Sequence, residues 1–361
     1  MEDLTSLFTE LLELHAPFSL GEIEKRVVDD KVEQLTFNIK IDKDFRPSKH
    51  HNIHSYYTKK WRHLSLFQYP CFIQSRLPVF MDTRTGRTQV IEVPWARKHS
   101  GFTLLFEQEV LDLLKLNNCK TTTAAFFGLY PQRIKTIYDA YTKDAYEQRE
   151  PKFAQKVGVD ETSTKKGHEY ISLFVDVESG EILDIRDGKS SDAIKEYAEE
   201  VGMLGGDIDQ VKEFSLDMSP AFIKGVSRQF PNARMTFDRF HVVRLIGRYF
   251  KPLWRSKKVD KELLEYHMSE LDQLWVQPHC DRAAAFFTYW LDRTKMLFEM
   301  SSFSKSMNKH FQGIIHFVES KVTNGILEGM NSKIQFIKRA ARGYRDKEHF
   351  KRMILFAFDA L

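Results

Sequence analysis

Residues 152–197, KFAQKVGVDETSTKKGHEYISLFVDVESGEILDIRDGKSSDAIKEY, and residues 213–245, EFSLDMSPAFIKGVSRQFPNARMTFDRFHVVRL, decide how the chain is read. Gln155–Asp160 is a short β-rich run. Tyr170–Val177 alternates and is rich in aromatic and branched residues, the period-two pattern of a strand. Glu178-Ser-Gly-Glu181 turns the chain, with Gly180 able to take positive φ, and Ile182–Asp187 reads as a third strand. Ala193, Ile194, Tyr197, Ala198 and Val201 recur at helical spacing over Ser191–Val201. Phe214–Asp217 then reads as a buried strand. Ser219 suits an N-cap and Pro220 a first helical turn, so a helix is expected over Ala221–Phe230. Arg234–Phe237 is another strand, and a further helix begins at His241.

That order, β-β-β-α-β-α-β-α, is the order of an RNase H-like fold, in which strands one and four lie side by side at the sheet centre. Asp160 ends the first strand and Asp217 the fourth, so the two acids are expected a few Å apart. A third acid, Glu328, stands in VTNGILEGMNSKIQFIKRAARGYRD (322–346). Carboxylates gathered at one point repel one another unless hard cations take their oxygens as ligands. Two such metals can clamp the attacking and leaving oxygens of a phosphoryl transfer. Each acid also has an ordinary reading. Asp160 is a strand-end turn residue with Glu161 the ligand instead, Asp217 a cap before Ser219, and Glu328 a solvated helix acid, with Glu319 as the competing third carboxylate. A turn at Asn324-Gly325 favours Glu328. It would open a helix over Ile326–Arg342 presenting Glu328, Asn331, Gln335, Arg339 and Arg342 along one face.

VGVDETS (157–163), SLDMSPAF (215–222), TFDRFHVV (236–243) and NGILEGMNSKIQFIKRAARGYRD (324–346) closely resemble the motifs of the bacterial ISL-three family of insertion-sequence transposases. The resemblance runs from about residue 50 onward and is strongest in 157–245 and 321–352. It implies that Asp160, Asp217 and Glu328 are the three acids of a DDE transposase, catalytic and metal-holding, with Mg²⁺ as cofactor and Mn²⁺ able to substitute. Their separations are 57 and 111 residues, and the second gap is long enough to hold an inserted domain. Asp238 and His241 form a D-x-x-H pair similar to one near the active site of other transposases. This implies that His241 positions the scissile phosphate or DNA; the alternative is a helix N-cap beside a partly buried imidazole. The implied activity is binding of terminal inverted repeats, hydrolysis of a strand, and joining of the freed 3′-OH to target DNA. Synapsis of two ends implies a homodimer or a larger assembly. Two other classes stay open: an RNase H-like structure-specific nuclease, and a domesticated DNA-binding protein without catalysis.

The expected architecture is α+β and multidomain: an RNase H-like mixed sheet flanked by helices and interrupted by an all-helical insertion. A small β-rich ribbon-like domain and a helix-turn-helix precede it. Residues 1–30 read as an amphipathic helix with Leu4, Leu7, Phe8, Leu11, Leu12 and Leu14 on one face, a dimerisation element, a lid, or a helix packed within its own chain. Residues 31–97 are β-rich. The resembling family usually carries a zinc ribbon here with two cysteine pairs. This sequence has Asp44-Phe-Arg-Pro and Met81-Asp-Thr-Arg in their place, and His50, His51, His54 and His63 do not supply a four-ligand geometry, so no zinc is expected. Residues 98–150 hold a helix over Phe102–Leu116, then a helix-turn-helix: Thr121–Phe127, a turn at Gly128, and Pro131–Tyr141. Gln132, Arg133 and Lys135, with Thr136, would reach base edges or phosphates. Residues 142–154 read as a linker. Residues 151–245 are the first part of the catalytic core, 246–320 the helical insertion and 321–361 the last part. In the insertion, Trp254, Trp275, Trp290, Phe286 and Phe287 read mostly as core, with one or two left to stack on an extruded base.

The net charge of +4 is small for a nucleic-acid binder, but the charge is unevenly spread. Residues 321–352 hold nine Lys/Arg against three Asp/Glu, and Lys333, Lys338, Arg339, Arg342 and Arg345 are placed there as DNA contacts. SKHHNIHSYYTKKWRH (48–63) is similarly one-sided. No stretch is long and apolar enough to span a membrane. The N-terminal MEDLTSLFTELLELHAPFSL has no basic segment and is not read as a secretory signal. Cys71, Cys119 and Cys280 are too few and too far apart for a disulfide framework. A reducing bacterial cytoplasm, at the nucleoid, is the expected location. Relatives often continue past the apolar run RMILFAFDAL (352–361), so a truncated product is one expectation.

Overall fold

Alternating apolar residues in the first ninety positions produce a sheet, not a ribbon. The structure is a computed structural model that describes residues 4–28, 31–150, 152–165, 169–203, 205–255, 259–298, 300–321 and 325–361. It divides into two units, Met1–Asp139 and Ala140–Leu361.

In the first unit α1 (Leu4–Leu11) is followed by β1 (Phe18–Val28), β2 (Lys31–Ile41), β3 (His51–Leu66), β4 (Tyr69–Asp82) and β5 (Thr88–Val90). The sheet order is β1-β2-β4-β3, with β5 on β4. Trp61, Ile73, Leu77 and Trp95 are buried against one face, with the rings of Trp61 and Trp95 edge to face at 5.6 Å. The single amphipathic helix expected over 1–30 is therefore corrected: the helix ends at Leu11, and Phe18–Val28 pairs antiparallel with β2. A register shift between Leu20 and Ile23 interrupts the period of two within this strand. The boundary at residue 30/31 falls inside this hairpin and separates nothing. Three helices follow, α2 (Leu104–Asn117), α3 (Lys120–Phe127) and α4 (Pro131–Glu147). Gly128 sits between α3 and α4 at φ 64°, the left-handed conformation in which its N–H closes onto Ala124 and Ala125. The linker expected over 142–154 begins later than that, because α4 continues to Glu147.

The second unit is built on β6 (Lys156–Ser163), β7 (Tyr170–Asp176), β8 (Ile182–Asp187), β9 (Glu213–Leu216) and β10 (Arg234–Phe237). Their order is β10-β9-β6-β7-β8: β6, β7 and β8 form antiparallel neighbours, while β9 and β10 run parallel to β6. Crossovers come from α5 (Ser191–Met203) and α6 (Pro220–Gln229), and α7 (Arg239–Arg255) leaves the sheet after β10. Ser219 stands at the N-cap of α6 but makes no side-chain cap; Asp217 Oδ1 instead accepts the Ser219 N–H at 2.9 Å. The chain continues as α8 (Lys261–Glu270), α9 (Asp272–Trp275), α10 (Cys280–Phe298), α11 (Ser301–Ser320), α12 (Gly325–Ala340) and α13 (Lys347–Ala357).

The helices of 246–320 share the sheet's core. One apolar cluster runs from Val157, Phe214 and Phe237 through Ile246 and Phe250 to Trp290, Phe303 and Ile314. Trp275, Trp290 and Phe287 are core residues, whereas Trp254 is half exposed. α11 lies directly on β10. A Cβ on Gly313 would stand 2.5 Å from the Phe237 ring, so only glycine permits this approach. No helix among the described residues is long and apolar enough to cross a membrane.

Candidate active site

Register places three acids in one row. Val159 pairs with Leu216, and Leu216 with Phe237, across three adjacent parallel strands. The next residue on each is Asp160, Asp217 and Asp238. Neighbouring strands lie about 4.8 Å apart, so the Asp160 and Asp217 backbones are close neighbours and Asp238 is one strand further. A strand end is where such residues can gather, because β9 and β10 stop there and their next residues turn away from the ladder.

The three carboxyls differ in surroundings. Asp160 is mostly buried; its Oδ1 accepts the Glu161 N–H at 2.8 Å and its Oδ2 accepts an Asn331 Nδ2–H at 2.6 Å. Burial pushes its carboxyl up to about 6, the neighbouring Asp217 charge adds to this, and His241 and the Glu161 N–H oppose it. Glu161 is also raised by burial, and pairs with Lys189 at 3.6 Å. Asp238 is 4% exposed and accepts the Phe240 N–H at 2.6 Å, while its carbonyl takes the Val242 N–H, which makes it the cap of α7. His241 lies in the first turn of α7, close enough for its charge to act on Asp160.

Glu328 belongs to α12. It is exposed in the first turn of α12, and among the described residues no three metal-ligating side chains converge on one point. Asn324, of the turn expected before it, lies outside the described residues. The rest of α12 docks along β6 in step. Leu327 meets Gly158, Asn331 donates to Asp160, Gln335 Nε2 donates to Thr162 Oγ1 at 2.7 Å, and Lys338 Nζ donates to the Ser163 carbonyl at 2.8 Å. These positions recur every three or four residues, one stripe of a helix. The face expected to carry Glu328, Asn331, Gln335, Arg339 and Arg342 is thus divided. Asn331 and Gln335 face the strand, Glu328 and Arg339 face solvent, and Arg342 lies beyond the helix end at Ala340 with φ 55°. Glu319, the competing acid, accepts from Arg234 at 3.0 Å and from the Cys280 N–H at 3.1 Å. Arg234 begins β10, four residues and about 13 Å along the strand from Asp238 of the acid row, which removes Glu319 from the site.

Past Asp160 the strand leads to a cavity of about 840 Å³ lined by Thr164, Lys165, Lys338, Arg339, Arg342 and Arg345, among others, with no acid. Lys333 does not join it: its Nζ donates to the Ala357 carbonyl at the end of α13. In the first unit Gln132, Arg133 and Lys135 are all exposed on α4, and Lys135 is ion-paired with Asp139. His63 is turned inward, with Nδ1 3.0 Å from Thr103 Oγ1, and burial lowers it to about 4. Asn331 is expected on the Glu328 face of the helix with no role given to it, and its bond to Asp160 is what the sequence reading missed. Its signal was present in the i, i+4 stripe, but an amide has no charge to draw attention.

The oxygen-rich pair Asp160 and Asp217 fits a hard divalent cation, which would offset both the burial that raises Asp160 and the Asp217 charge that adds to it.

Comparison with known proteins identifies the family. A family model described as "Transposase" matches residues 157–265 and 261–354, and one described as "Helix-turn-helix domain of transposase family ISL3" matches residues 91–142. The chain belongs to the ISL3 family of transposases. It is 22% identical over 351 residues to the transposase for insertion sequence element IS1001 of Bordetella parapertussis, covering 85% of this chain and 86% of that one. It is 27% identical over 206 residues to the transposase for insertion sequence element IS1557 of Mycobacterium tuberculosis, covering 56% of this chain and 43% of that one. A solved structure of a simian T-cell lymphotropic virus intasome with the PP2A regulatory subunit B56 gamma aligns at 15% identity over 47% of this chain and 71% of that chain. Its TM-score of 0.19 is too low to carry a fold argument.

Proposed function

We propose that the second unit is an RNase H-like catalytic core that cuts insertion-sequence ends and joins them to target DNA. Asp160 and Asp217 are its principal acids. The observation carrying this reading is their adjacency: two carboxylates on the ends of hydrogen-bonded parallel strands, one held up to about 6 beside the other's charge. Mg²⁺, or Mn²⁺ in its place, would be held by these two with Glu328 as third ligand, and would supply charge neutralisation on a phosphate under attack. In the first step water oxygen bonds to phosphorus and the P–O3′ bond breaks, leaving a 3′-OH and a 5′-phosphate. In the second, that 3′ oxygen bonds to a target phosphorus as a target P–O3′ bond breaks.

Asn331 holds the Asp160 carboxylate in one rotamer, so that it need not reorganise during these steps. His241, facing Asp160, orients the phosphate, and buried Asp238 fixes the turn that presents His241. Lys338, Arg339, Arg342 and Arg345 neutralise the strand passing through the basic cavity. In the first unit Gln132, Arg133 and Lys135 of α4 read the terminal inverted repeats. Pairing two ends calls for a homodimer or a larger assembly, bound to terminal-repeat and target DNA.

The test is cleavage of labelled element-end DNA with Mg²⁺ or Mn²⁺ by the wild type and by Asp217→Ala. Cutting that disappears in the variant while DNA binding survives supports the proposal. Equal cutting by both sinks it. Firm binding without cutting by either replaces it with a DNA-binding protein that lacks catalysis, the reading that the exposed position of Glu328 would favour.

A further inference from the structure

α7 starts at the acid row and carries no acidic residue along its length: RFHVVRLIGRYFKPLWR. Val242, Ile246 and Phe250 bury one side of it in the core. On the other side stand His241, Arg244, Arg248, Lys251 and Arg255, at steps of three and four residues. At 3.6 residues per turn these five fall within about 80° of arc. The four cations after His241 are exposed, and none forms an ion pair or hydrogen bond among the described residues. Several other surface cations of this unit are committed, Lys156 to Glu178 at 2.7 Å, Lys195 to Glu199 at 3.3 Å and Arg239 to Asp272 at 2.8 Å; what sets the α7 cations apart is their alignment on one stripe. Four unpaired cations on one stripe repel one another and contribute nothing to folding. The hollow between Arg248, Lys251, Pro252 and Arg255 is open and bounded by cations.

We propose that the exposed face of α7 is a backbone track for duplex DNA, beginning at His241 beside Asp160 and leading away along the stripe. This rests on the reading of Asp160 and Asp217 as the reacting centre and adds the path of the DNA flanking it. Charge complementarity selects the occupant. Arg244 to Arg255 spans about 17 Å of helix at 1.5 Å per residue. Over that length duplex DNA offers about ten phosphate charges at one per 1.7 Å. Phosphate oxygens are the commonest partners of Arg and Lys along a duplex, and cations at one-turn spacing suit contacts to successive phosphates.

Two measurements on the full chain test it, both without divalent metal so that no cutting intervenes. The first is the salt dependence of affinity for a fluorescein-labelled duplex. Arg244→Gln/Arg248→Gln and Lys251→Gln/Arg255→Gln should each lower the slope of log K against log salt by about 2, at about 0.9 per phosphate contact. Lys156→Gln/Lys195→Gln, whose cations are already paired, should leave the slope unchanged. The second uses Trp254, 50% exposed, while Trp61, Trp95, Trp275 and Trp290 are 7% exposed or less. Saturating duplex should protect tryptophan emission from acrylamide, and Trp254→Phe should abolish that protection. Unchanged slopes in both α7 doubles, or no protection at Trp254, overturns the track. The outcomes separate the two proposals. Cutting that depends on Asp217 with an indifferent α7 removes the track alone; reduced slopes without any cutting keep the track and remove the catalytic reading.

Discussion

Asn331 shows how much one uncharged side chain can carry. Its Nδ2–H donates to Asp160 Oδ2 at 2.6 Å, from a helix 171 residues downstream. Asn331→Ala frees the carboxylate to rotate, and the expected result is a 10- to 100-fold loss of cleavage, about the range for removing an oriented partner of a metal ligand, with DNA affinity retained. Asn331→Asp adds a fourth acid beside the row and should weaken cleavage further at low metal than at high. A single-turnover assay at two Mg²⁺ concentrations distinguishes them. His63 behaves in the opposite chemical sense. Burial lowers it to about 4, so the folded first unit holds it neutral. Its contribution is fully present above pH 6.5 and is lost as pH falls from there towards 4. Wild-type stability should drop across that window by about 2 kcal/mol, less than full linkage because the ring keeps some water contact. His63→Gln should flatten the dependence in urea titrations at pH 4.5 and 7.5. Equal pH dependence in both proteins would contradict the assignment.

At the level of elements, much of the second unit could be read from its sequence. Ile182–Asp187 and Arg234–Phe237 form strands with the expected bounds, and the strand ending before Asp217 differs by one residue at each end. Short apolar runs bounded by turn residues specify strands locally, and the β6–β9 pairing follows from their order. Residues 12–28 were not legible in the same way: the expected helix runs past Leu11, where the chain instead turns into the strand Phe18–Val28. Nor was the docking of α12 along β6, which brings together residues far apart in sequence. That docking rests on Gly158. A Cβ there would meet Val177 Cγ1 at 2.7 Å and Leu327 Cδ1 at 2.8 Å. Gly158→Ala should push α12 off β6 and destabilise the protein by about 1–3 kcal/mol, the usual cost of overpacking. Leu327→Ala in the same chain should recover part of it. A double-mutant cycle in denaturant measures the coupling, and strict additivity would show that the two do not touch in solution.

On the scale of the whole molecule, the core was expected to separate an RNase H-like sheet from a helical insertion, yet Phe214 and Trp290 belong to one apolar cluster. Sequence pattern shows which faces are apolar but not which faces meet. The second unit should therefore unfold in one transition that includes α10 and α11. Divalent metal should stabilise that transition by mass action. At ten times Kd the gain is about 1.4 kcal/mol, and Asp217→Ala should abolish it. Thermal unfolding with and without Mg²⁺ reads this directly, and a metal-induced shift that persists in the variant would place the ion elsewhere.

The clamp on Asp160 also sets a clock during synthesis. The strands bearing Asp160 and Asp217 are complete once residue 217 has emerged from the ribosome, but Asn331 and the helix that steadies them come more than a hundred residues later. At about 5–20 residues per second, that leaves roughly 6–23 s in which the acid pair exists on a nascent chain without its brace. During that interval β6 presents Gly158 and its neighbours uncovered, a surface open to chaperones or to a like strand from another chain.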